Sequence, residues 1–156
     1  MVSKGGINKD KGNKNKNDDF KNDKQWLHQS LMQIGQCLSS LALYSDEKPP
    51  MERMELMDKA ITAFNDAITQ YKKDCNEKNA LPAFVCQAQL CRCLYNKNSL
   101  HNQFVLRGVM EYPDQEKEDL KTLLCDTVNE AMVCARAAED MDQIEELRSL
   151  QNLPFS

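Results

Sequence analysis

Seven cysteines, two histidines and a run of acids near the C-terminus are the residues of this 156-residue chain best suited to chemistry. Cys91-Arg92-Cys93, with Cys86 just upstream, brings three thiols close together in sequence. A structural zinc site takes four ligands, commonly in paired Cys-x2–4-Cys or Cys/His sets on turns. Here the thiols fall on a segment of helical pattern, where residues two apart project about 200° apart. Cys91 and Cys93 therefore do not converge on one ion. A thiol nucleophile needs a neighbouring base and a lowered pKa. His28 follows Trp26-Leu27 and His101 sits in an Asn-rich, turn-like stretch, and neither belongs to a recognisable catalytic motif. Asp140, Asp142, Glu145 and Glu146 lack the glycine turn and ligand spacing of a calcium loop. Gly5-Gly6, Gly35 and Gly108 form no phosphate-binding loop. These residues predict buried structural thiols, no metal, no cofactor and no enzymatic activity. An odd number of cysteines without an export signal also predicts that they stay reduced, and most sit where a helix would place a small apolar residue.

The elements that would carry these residues are helices. Gly and Pro number only five each, too few for the frequent turns of a sheet protein. A first helix is predicted from about Asp23 to Tyr44. Trp26, Leu27, Leu31, Ile34, Leu38, Leu41 and Ala42 recur every three or four positions as one partner-facing stripe. Gly35 lies inside it and would admit a close neighbour. Pro49-Pro50 ends that helix, and Pro50 can open the next. The second helix should reach about Asn76, with Met54, Met57, Ile61, Phe64, Ile68 and Tyr71 as its seam and Ala60, Ala63 and Ala67 widening it. A third helix, about Leu81 to Tyr95, is apolar nearly all round and is expected to be central. Asn96-Lys97-Asn98-Ser99 reads as a turn, followed by a short helix ending near Gly108, with a short strand as the alternative. Pro113 and the acids Asp114, Glu116, Glu118 and Asp119 announce a fourth helix. It would end near Asp140 or continue through Ile144, Leu147 and Leu150 to Pro154.

Charge divides the chain. Residues 1–25 hold seven Lys against four Asp, a net +3, whereas the whole chain carries −4, leaving −7 for residues 26–156. So acidic a domain is a poor binder of nucleic acid or anionic lipid. Residues 1–23, rich in Lys, Asn and Asp, bury too little apolar surface to offset ordering entropy and are expected to form a disordered tail. No apolar run reaches the ~18–20 residues of a membrane span. Neither a secretory signal nor a lipidation motif is evident, and a cytoplasmic or nuclear location is expected.

Two segments share a pattern. Leu56, Asp58, Ala60, Ala63 and Ala67 align with Leu124, Asp126, Val128, Ala131 and Ala135 at an offset of 68 residues, about twice the 34-residue tetratricopeptide period. Ala60-x3-Phe64-x2-Ala67 resembles the second helix of a tetratricopeptide repeat, and Leu31-x2-Ile34-Gly35-x2-Leu38 resembles its first helix. The resemblance covers residues 31–76 and 113–140. It departs from the family in a long inter-helix loop and in Lys72 standing where a proline is usual. It implies a helical interaction scaffold and carries no catalytic residues.

The sequence thus predicts an all-α antiparallel bundle of four to five helices, tetratricopeptide-like, over residues 24–152, between the tail and a short C-terminal segment, 153–156. The function expected is a non-catalytic protein–protein interaction module, an adaptor or small subunit of a larger complex. Its partners would be proteins, with a homo-oligomer compatible. The alternative is a nucleic-acid or chromatin factor acting through the Lys-rich tail. Candidate contact residues are Met51, Met54, Met57, Trp26 and Met32, because flexible methionines at a surface accept varied partners. The exposed face of the first helix is the second candidate surface.

Overall fold

The computed structural model describes residues 27–74 and 83–153, and every regular element among them is a helix. The tail, Trp26, Cys75 and residues 154–156 lie outside the described residues. Helix α1 covers 27–44. It is followed by α2 (Pro50–Asp74), α3 (Ala83–Leu106), α4 (Asp114–Ala137) and α5 (Met141–Asn152). No helix among the described residues is long and apolar enough to cross a membrane.

Helices α1 and α2 run antiparallel. His28 meets Tyr71, Gly35 meets Phe64, and the Ala42 carbonyl meets Arg53, so one number rises as the other falls. Helix α2 packs antiparallel on α3 in the same way, with Arg53 against the Phe104 ring and Met57 against Cys93. Helix α3 also packs on α4 and α5, α4 packs on α5, and Cys86 of α3 reaches Met32 of α1. The result is a layered stack with α3 at its centre. Its core holds Met57, Phe64, Leu94, Leu100, Phe104, Val128 and Leu147, each nearly inaccessible to solvent.

The second and fourth helices form where the pattern places them, and their alanines (Ala60, Ala63, Ala67, Ala131 and Ala135) are all buried. Two expectations need correction. The turn predicted at Asn96-Lys97-Asn98-Ser99 is helical: α3 continues unbroken to Leu106. Tertiary partners override the local turn preference here. Asn98 is buried and accepts a hydrogen bond from the Tyr112 hydroxyl at 3.0 Å, and Lys97 pairs with Asp58 at 2.8 Å. Helix α3 then stops at Gly108, whose φ of +72° allows its amide to reach the Val105 carbonyl and that of Val109 to reach the Phe104 carbonyl. This is the Schellman closure, which favours glycine.

The second correction concerns the register of α1. The stripe predicts that Leu27, Ile34 and Leu41 face a partner helix, yet each is nearly half exposed. His28, Gly35 and Ala42 face α2 instead, with Leu31 and Leu38 half-buried at the edge. Gly35 decides this. A Cβ there would stand 2.9 Å from Phe64 Cε1 and Cζ, so the bare glycine face is the one against which the Phe64 ring can seat.

Candidate functional site

Cys86, Cys91 and Cys93 are buried on α3. Burial pushes the Cys91 thiol up to about 12 and that of Cys93 up to about 11, and it raises Cys86 as well. A thiol held this way is almost wholly protonated near neutral pH and is a poor nucleophile. Cys86 Sγ lies 3.5 Å from Met32 Sδ, and Cys93 Sγ lies 3.5 Å from Met57 Sδ. Among the described residues no three His, Cys, Asp or Glu side chains converge as a metal site would require.

The histidines serve packing. His28 meets the Tyr71 ring edge-on, with centroids 4.6 Å apart. His101 stacks on Tyr112 at 3.7 Å, and its Nε2 lies 2.9 Å from the Glu111 carbonyl oxygen, where the protonated nitrogen donates. Together with the Tyr112–Asn98 bond, this fastens residues 107–113 across α3. Of the acids near the C-terminus, Asp140 caps α5 by accepting from the Gln143 amide at 3.2 Å, and Glu146 pairs with Arg92 of α3 at 2.6 Å.

The methionines part company. Met51 is 65% exposed, whereas Met54 and Met57 lie in the core and Met32 is half-buried against it. Position on α2 explains this. Met54 and Met57 share the helix face of Phe64 and Ala67, while Met51 lies before the first core turn. The structure therefore does not assemble Met51, Met54, Met57 and Met32 into one surface, and Trp26 lies outside the described residues.

What the structure does assemble is the outer face of α1. Leu27, Ile34 and Leu41 are each nearly half exposed and Tyr44 is 79% exposed. Ser30 and Cys37 lie between them, also exposed. These six residues are spaced as heptad a and d positions: 27, 34 and 41, then 30, 37 and 44. Residues 27–44 contain no Asp, Glu, Lys or Arg. An exposed helix face is ordinarily charged, so this neutral apolar seam stands out in an acidic domain. Ile34 lies about 160° round the helix from Met32, which faces α3, so the seam is on the open side of the stack. A shallow groove beside it is lined by Gln36, Cys37, Ser40, Leu41 and Tyr44. The sequence signals this face through the uncharged run from Leu27 to Tyr44, whose periodicity equally suits a buried seam. No known protein family, curated protein or solved structure matches the chain.

Proposed function

We propose that the chain is a non-catalytic protein-interaction module, an adaptor or small subunit of a larger assembly, and that the open face of α1 is its contact surface. The observation that carries this reading is the uncharged heptad seam Leu27–Ser30–Ile34–Cys37–Leu41–Tyr44, which leaves large apolar side chains in water. A contiguous apolar face of this kind is characteristic of a binding site, and amphipathic helices are accepted in this i, i+3, i+7 spacing. The protonated, buried thiols of α3 and the packing roles of both histidines favour binding over catalysis.

The layering favours a tetratricopeptide-like scaffold. In this reading α1 and α2 form one helical pair, α3 and α4 a second, and α5 a closing helix. Support comes from Gly35 seated against Phe64, the two residues of the resembling motif that a close helix pair must bring together. Burial of Ala60 and Ala67 beside them also supports it.

The test is affinity capture with full-length protein and with Ile34→Glu, followed by mass spectrometry. Proteins retained by the native chain and lost with Ile34→Glu are the expected result. A retained set that Ile34→Glu leaves unchanged, or no retained protein and no self-association, overturns the reading.

A further inference from the structure

The two ends of the stack differ. At the α5 end the exposed positions are mostly polar, Asp142, Glu145, Arg148, Ser149 and Gln151, with Met141 and Leu153 beside them, and a charged outer face is what a terminal layer needs for solubility. At the α1 end the outer face carries the Leu27–Tyr44 seam among Gln and Ser side chains and has no charge. One end carries charge and the other carries none.

We infer that a second copy of this chain covers the α1 face, giving a two-fold dimer in which two α1 helices pack antiparallel along the Leu27–Tyr44 seam. This rests on the reading of that face as a protein-binding surface. Two observations select a second copy as the occupant. The first is charge. The chain is net −4, and two copies repel across acidic surfaces, but residues 27–44 bring no charge to the contact. The second is self-complementarity. An antiparallel pair centred between Gly35 and Gln36 sets every a position against a d position of the other copy. Leu27 then meets Tyr44, Ser30 meets Leu41, and Ile34 meets Cys37. Large side chains face small ones in two of these three layers, as interdigitating layers require.

Closure follows from the same geometry. A two-fold contact uses the same patch on both copies, and the polar α5 ends face outward, so assembly stops at two. A helix of 18 residues is about 27 Å long. Such a pair buries toward the lower end of specific interfaces, about 1,200 Å² in total, and dissociation in the micromolar range is expected. Residues 1–26 are a poorer occupant, because their net charge and sparse apolar side chains (Met1, Val2, Ile7, Phe20 and Trp26) do not match the seam.

Sedimentation equilibrium on the full chain under reducing conditions tests this. The mass should rise with concentration from 17.9 kDa toward twice that value. Ile34→Glu and Ile34→Lys, near the two-fold axis, should each raise the dimer dissociation constant by at least about 100-fold, since like charges then lie close together on either side of that axis. Mixing the two variants should restore the dimer, a rescue that a merely unfolded variant would not show. A native chain that stays monomeric into the hundreds of micromolar overturns the proposal, as does a dimer indifferent to Ile34→Glu. If removal of residues 1–24 is needed before dimers form, the chain's own N-terminal segment is the occupant and the proposal also falls. A monomer that still captures a distinct protein through Ile34 overturns the second copy alone and leaves the interaction module standing.

Discussion

Arg53 is a charged residue only 3% exposed, and its surroundings explain how burial is tolerated. Its Nε donates to the Ala42 carbonyl and its Nη2 to the Leu43 carbonyl, both at 2.8 Å. Its guanidinium lies 5.2 Å from the Phe104 ring centroid, and Asp46 stands 3.6 Å from Nη1. One side chain thus caps the negative end of α1 while tying α2 to α3. Arg53→Met leaves two carbonyls without a donor and should cost about 2–4 kcal/mol, read as a lower urea midpoint at unchanged slope. Arg53→Lys keeps the charge but not the planar fork, so it should recover less than half of that loss. Full recovery with Lys would mean that charge alone matters. Gly35 is the second decisive position. Gly35→Ala gains about 1 kcal/mol in helix propensity but drives a methyl into the buried Phe64 ring, at about 1–3 kcal/mol. A net loss is expected. A double-mutant cycle with Phe64→Leu should return a coupling above about 0.5 kcal/mol, and additive effects would contradict the contact.

Helix ends carry the next prediction. Helix α4 closes at Glu139, a non-glycine residue with φ of 55°. Its amide bonds to the Arg136 carbonyl and that of Asp140 to the Ala135 carbonyl. This repeats the Schellman geometry of Gly108, but with a side chain in the left-handed region that costs about 1–2 kcal/mol. Glu139→Gly should therefore stabilise the fold by about 0.5–1 kcal/mol after the glycine's extra chain entropy is counted. An unchanged or lower melting temperature would show that the strain is relieved elsewhere. At this scale the sequence disclosed most of the architecture: α2, α4 and α5 bury the residues their periodicity selects, because one apolar stripe per helix meets one neighbour. It failed where two signals competed. Asn96 to Ser99 resemble a turn until Tyr112 and Asp58 supply partners from distant positions. Leu27, Ile34 and Leu41 resemble core until Gly35 rotates α1 toward Phe64. The residues of the open α1 face were not legible for that reason, since apolar side chains left at the surface look the same in sequence as those bound for the interior.

In the whole molecule, the central helix stores its thiols where no water can solvate a thiolate, and this couples the fold to alkaline pH. Burial raises Cys91 from the ordinary 9.0 to about 12 and Cys93 to about 11. Tyr112, desolvated and facing Glu116, rises from 10.0 to about 12. Below pH 9 both states keep these protons, and the groups contribute their full share to stability. Between pH 9 and about 12 the unfolded chain releases protons that the folded chain still holds. Stability therefore falls as pH rises, at up to about 1.4 kcal/mol per pH unit for each thiol. The urea midpoint should accordingly hold near pH 8 and decline steeply by pH 10.5. Lysines and other tyrosines also titrate there, so the discriminating comparison is of slopes. Cys91→Ala with Cys93→Ala removes two of the titrating groups and should flatten the decline, whatever the double variant does to stability at pH 8. An equally steep decline in that variant would place the alkaline sensitivity outside the core of α3.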